Sequence, residues 1–143
     1  MELGTFGAVM AFASEIVTQS AEFYGDACGR SEGAELKQLL TALRDGAIKD
    51  GAALEQTRRE NVTEMILEPI AGLRRDDYMA TVEEAAPGSD AAIVKTALVL
   101  ERRDQRFFEI SAAKLPLPEV ARLLRKMAKR REENLAKLRG LAE

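Results

Sequence analysis

"TALVLERRDQRFFEI", residues 96–110, sets an apolar run, Ala97-Leu98-Val99-Leu100, directly against a glutamate, Glu101. Two aromatic residues, Phe107 and Phe108, follow within two helical turns. The apolar positions recur at three- and four-residue steps, which is the period of an amphipathic helix. Glu101 falls where that period expects core. Ser89 or Asp90, just after Pro87-Gly88, is a fitting N-cap, so a helix is predicted over about 90–114.

Three more segments share this period. The first, about 5–29, places Phe6, Val9, Met10, Ala13, Ile16, Val17, Ser20, Phe23, Tyr24, Ala27 and Cys28 on one face. The second, about 34–67, faces Leu36, Leu39, Leu40, Leu43, Ala47, Leu54 and Met65 inward and stops before Pro69. The last, about 118–141, opens with Pro118 in its first turn and buries Val120, Leu123, Leu124, Met127, Leu138 and Leu141. Short connections, "GRSEGAE" and "KLPLP", make antiparallel neighbours. The expectation is one all-α domain: a hairpin over 5–67, a crossover over 68–89 and a hairpin over 90–141. β-branched and aromatic residues are too few, and the helical segments too long, for a sheet protein.

Composition narrows the function classes. At 143 residues the chain is long enough to bury a core, and 46% hydrophobic with 31% charged residues is ordinary for a folded protein. A net charge of −3 argues against a nucleic-acid binder. No apolar run is long enough to cross a membrane. The start of the chain has no basic segment followed by an apolar one, so no signal peptide is expected. One cysteine, Cys28, leaves no internal disulfide, and the expected location is cytoplasmic. There is no histidine, which removes imidazole bases and imidazole metal ligands. Cys28 therefore reads as a small hydrophobe.

The two hairpins repeat. A shift of 84 residues lays Phe23-Tyr24 on Phe107-Phe108, Leu36 on Val120, Leu39-Leu40 on Leu123-Leu124, Leu43 on Met127 and Leu54 on Leu138. The register holds without a gap through both helices and the turn, the mark of an internal repeat.

Two similar helical hairpins joined by a long crossover resemble the ferritin-like bundles, specifically the rubrerythrin-related branch. "AEFYGDA" (21–27) and "ERRDQRFFEI" (101–110) are similar to that family's two first-helix signatures. The resemblance implies a four-helix bundle whose di-metal site takes one Glu from each of two helices and a Glu-x-x-His from each of the other two. Carried over by position, those ligands fall on Val17, on Ala47 and Asp50, on Glu101, and on Arg131 and Asn134. Glu101 is the one intact ligand and Asp50 a possible oxygen donor; Val17, Ala47, Arg131 and Asn134 are vestigial positions. The departure lies at the chemistry itself, so peroxide reduction and iron oxidation are not inherited.

Three readings of Glu101 stand side by side: a surviving metal ligand, a member of a core ion pair, or a side chain reaching solvent. A buried lone carboxylate is costly, so a partner is expected. Arg131 lies on the inward face of the last helix, with Leu124, Met127, Asn134 and Leu138. The expected arrangement is Arg131 in place of metal cations, pairing Glu101, with Asp50 or Asn134 completing the hydrogen bonds. The expected function is a non-catalytic structural or interaction protein without a cofactor. The alternative is an oxidoreductase or metal-binding protein with an iron or manganese site of carboxylates, Glu101, Asp50 and Asp104. "MILEPI" (65–70), on the far end of the second helix, is expected to be an exposed apolar strip and points to a homodimer. The basic last helix reads as a solvated face.

Overall fold

The structure is a computed structural model that describes residues 3–61, 70, 72–79 and 89–142. Four helices account for nearly all of them: α1 (Phe6–Arg30), α2 (Ala34–Glu60), α3 (Asp90–Lys114) and α4 (Pro118–Ala142). Together they pack as an all-α four-helix bundle. The second helix is shorter than the 34–67 expected. Asn61 closes it: its backbone N–H and its side-chain amide both donate to the Thr57 carbonyl, at 3.2 and 2.8 Å. The remainder of that segment, Met65 included, lies outside the described residues.

The 84-residue repeat is written into the helix boundaries. Adding 84 to Phe6 and Arg30 gives Asp90 and Lys114, and adding it to Ala34 gives Pro118. The caps repeat too. Thr5 and Ser89 each accept the N–H three residues on, from Ala8 at 3.0 Å and Ala92 at 3.2 Å. Each bond satisfies one of the donors a helix start leaves orphaned. Gly33, the N-cap of α2, has no side chain to do so. Asp90, the first residue of α3, supplies the carboxylate instead, accepting from Glu32 N at 3.0 Å and Gly33 N at 2.8 Å.

Contacts give the helix directions. A methyl group on Gly25 would lie 3.4 Å from Arg44, and one on Gly51 would lie 3.5 Å from Val17, so α1 and α2 run in opposite senses. Glu101 meets Asn134 and Asp104 approaches Arg131, so α3 and α4 do the same. Phe12 stacks edge-on against Phe107 at 5.2 Å while Tyr24 bonds Glu101, so α1 and α3 also oppose. The start of α3 thus lies beside Gly33, at the opposite end of the bundle from the C-terminus of α2. Of the crossover between them, residues 70, 72–79 and 89 are described. Its described part is pinned to the start of α1: Leu3 N–H donates to the Leu73 carbonyl at 2.7 Å and Ile70 N–H to the Gly4 carbonyl at 3.0 Å. A 3₁₀ turn, Arg75–Tyr78, packs Tyr78 on Phe107 and holds Glu15 through both terminal nitrogens of Arg75.

The expected core positions are inside, with Cys28, Leu39, Leu123 and Leu141 partly buried. Ile70 departs from its expectation. The "MILEPI" strip was assigned to an exposed face, but Ile70 is only 7% exposed and joins the core; Met65–Pro69 lie outside the described residues. The interior divides into two apolar clusters. One gathers the N-terminal half of α1 with Phe107, Phe108, Leu124 and Met127; the other gathers Phe23, Tyr24, Leu36, Leu40, Leu100 and Leu138. Between them lies a layer of charge.

Candidate functional site

Leu100, Arg103, Asp104 and Phe107 share one face of α3 at the i, i+3, i+4, i+7 spacing. Glu101 adjoins that face on the α4 side. Three carboxylates are almost fully withdrawn from water: Asp50 is 1% exposed, Glu101 2% and Asp104 0%. Arg131, 3% exposed, reaches them from α4. Its Nη1 donates to Asp50 Oδ2, and its Nε stands 3.8 Å from Glu101 Oε2 and 3.9 Å from Asp104 Oδ2. Those last two separations are too long for hydrogen bonds but short for charges in a dry interior. The guanidinium also lies over the Phe108 ring, 5.3 Å from its centroid, a cation–π position.

Every carboxylate oxygen in the layer has a donor. Tyr24 hydroxyl donates to Glu101 Oε1 at 2.6 Å and Asn134 Nδ2 to Glu101 Oε2 at 3.1 Å. Ser20 hydroxyl donates to Asp104 Oδ2 at 2.9 Å and Arg103 Nε to Asp104 Oδ1 at 2.8 Å. Arg130 Nη2 donates to Asp50 Oδ1 at 2.6 Å from the edge of the bundle. Arg103 reaches further, to Gln19, to Ser20 and to the Ile16 carbonyl. All four helices therefore contribute to one layer of hydrogen bonds and ion pairs.

Burial sets the electrostatics. It raises the Glu101 carboxyl above its ordinary pKa against the pull of Arg131, and raises Asp104 against Arg103 and Arg131. Tyr24 is raised well above its ordinary value, first by burial and then by the negative charges of Glu101 and Asp104. Its hydroxyl stays protonated and remains a donor. Burial disfavours the Arg131 charge, but Glu101, Asp104 and Asp50 outweigh it, so the guanidinium is held charged.

The residues singled out in the sequence thus come together. Glu101, Asp50, Arg131 and Asn134 form one cluster. Val17 and Ala47 are buried in the adjoining apolar cluster. Arg131 engages Asp50 more closely than Glu101, the reverse of the expected emphasis. Asp104, assigned above as a co-ligand of Glu101, bonds Ser20 and Arg103 instead. Arg103 was not singled out at all, although its place on the Leu100–Asp104–Phe107 stripe is the signal that could have found it.

The repeat explains the layer's asymmetry. Residues 84 apart touch here: Ser20 bonds Asp104, and Gln19 bonds Arg103. A pseudo-twofold axis therefore passes between α1 and α3. Tyr24–Glu101 has Phe108–Val17 as its counterpart across that axis. Where the carboxylate is kept, the ring carries a hydroxyl; where valine replaces it, the ring carries none.

A metal centre does not fit these residues. Asp50 and Glu101 spend their oxygens on Arg130, Arg131, Tyr24 and Asn134, and a divalent cation between them would face the Arg131 guanidinium. Among the described residues, no three Asp, Glu, Cys or His side chains converge to hold a metal ion. A cleft of about 280 Å³ between α2 and α4 reaches the layer at Asp50, Arg131 and Asn134, and Lys137 and Glu133 stand on its walls. Among the described residues, no helix is long and apolar enough to cross a membrane. In comparison with known proteins, the chain matches no family model, no curated protein and no solved structure.

Proposed function

We propose that this chain is a ferritin-like, rubrerythrin-related bundle whose metal centre has given way to a fixed guanidinium. On this reading it is a non-catalytic structural or interaction protein that works as a homodimer. One observation carries the reading: Arg131 lies in the bundle interior among Asp50, Glu101 and Asp104, with its charge in the place the resemblance assigns to metal cations. The hydrogen bonds support it, because each of these carboxylates already has donors from the protein. No imidazole is present and Tyr24 is held protonated, so the layer offers neither a histidine base nor a phenolate nucleophile.

Metal analysis tests this directly. Tag-free protein is assayed as purified, and again after anaerobic exposure to ferrous and manganous ions followed by desalting. Retention well below one ion per chain is expected, unchanged in Glu101→Ala. Stoichiometric metal that disappears in Glu101→Ala would overturn the reading and direct attention to redox chemistry.

A further inference from the structure

Arg44, Ile48, Gly51 and Glu55 follow one another along the outer face of α2 at steps of four, three and four residues. Ile48 is 57% exposed, the most exposed large apolar side chain among the described residues. It lies in a shallow, mainly apolar groove of about 440 Å³ between α1 and α2, with Arg44 toward one end and Glu55 toward the other. A single exposed isoleucine needs no explanation, but one set in an apolar groove with opposite charges at its ends is a different case.

The internal repeat supplies a control. Residues 84 further on occupy the equivalent face of the second hairpin, where Ile48 becomes Glu132, Thr18 becomes Arg102 and Glu22 becomes Arg106. That face reads as a solvated one. The two hairpins share a backbone plan, so the apolar character of the first face is not demanded by the fold.

The order Arg-Ile-Gly-Glu is self-complementary when reversed. Two α2 helices laid antiparallel about the midpoint between Ile48 and Gly51 bring Ile48 against Gly51 of the other copy, and Arg44, which pairs with Asp45 in its own chain, against Glu55, which pairs with Arg58 in its own chain. Gly51 has no side chain; Val17 of α1 borders the place of a β-carbon at 3.5 Å, and the groove over the glycine leaves room for a branched side chain to rest. Opposite charges meet at both ends, and the contact closes on itself as a twofold interface does.

We propose that a second copy of this chain docks in the α1/α2 groove, with antiparallel α2 helices, Ile48 of each copy on Gly51 of the other, and Arg44 paired with Glu55. This gives the interaction reading its partner and rests on that reading. The basic α3/α4 face of a neighbouring copy is the competing occupant of the groove, and it would build open chains rather than closed pairs.

Sedimentation equilibrium of the full chain over a wide concentration range tests the proposal. A monomer–dimer equilibrium is expected. Ile48→Glu should weaken it by about a hundredfold or more, since it buries like charges where the helices meet, with the helical circular dichroism unchanged. Arg44→Glu and Glu55→Arg should each weaken it, and the double exchange should restore it. A purely monomeric wild type, a dimer indifferent to Ile48→Glu, species that grow beyond the dimer, or no rescue by the double exchange would each overturn the proposal. None of these outcomes touches the metal analysis, so the dimer surface and the reading of the core fail separately.

Discussion

Arg131 is the residue on which the interior turns. It is withdrawn from water yet permanently charged, and α2 and α3 supply the carboxylates that make this tolerable. A buried ion network of this kind need not add net stability relative to an apolar core, but removing one partner strands the rest. Arg131→Ala is expected to cost about 3–5 kcal/mol in urea unfolding. The pseudo-twofold axis makes a paired experiment possible at the two aromatic positions. Tyr24→Phe strips Glu101 of a buried donor, at a cost of about 1–3 kcal/mol. Phe108→Tyr adds a hydroxyl on the side where valine stands instead of glutamate, and should also destabilise, because nothing there was built to accept it. If Phe108→Tyr were neutral while Tyr24→Phe was costly, the matching of ring to carboxylate would lose its force.

At the scale of elements, the helices are defined at their starts. Thr5 and Ser89 cap equivalent helices in equivalent geometry, so Ser89→Ala should cost about 1 kcal/mol and Thr5→Ala a similar amount. Gly33 has no such side chain, and Asp90 takes over the duty from another helix. That bond does two things. It satisfies backbone donors at the start of α2, and it ties the α1–α2 turn to the beginning of α3. Gly72 marks the one described residue in the left-handed region, with φ 85°. A β-carbon there would also come within 2.8 Å of Lys114 Nζ. Gly72→Ala is therefore expected to destabilise the crossover by about 1–2 kcal/mol, read as a lower urea midpoint.

At the scale of the whole molecule, the buried layer and the Asp90 clasp respond to pH in opposite directions. The Glu101 and Asp104 pKa values are raised by burial. Between the ordinary carboxylate range, about 4, and those raised values, the folded chain holds protons that the unfolded chain has lost. Stability from these groups is full below that window and falls as pH rises through it. Asp90 is held below its ordinary value by the Glu32 and Gly33 N–H groups. Its contribution is present above the ordinary range and is lost as pH falls beneath it. The expected melting temperature therefore peaks in mild acid and declines on both sides. Asp104→Asn should flatten the alkaline side and Asp90→Asn the acid side, both read by calorimetry across the range; a wild-type profile flat throughout would contradict both shifts. The four helices, the repeat and nearly the whole apolar core are determined by sequence alone, because each rests on a local period or on a comparison of one segment with another. The position-by-position resemblance, rather than the repeat, was what singled out Glu101, Asp50, Arg131 and Asn134 as one group. Which carboxylate takes which donor is a different matter. Arg131 prefers Asp50 on α2, Arg103 folds back onto α1, Ile70 turns inward, and Asp90 caps a helix that begins 56 residues before it in the chain. Those pairings depend on distances between helices that no local pattern encodes, so only the tertiary structure decided them.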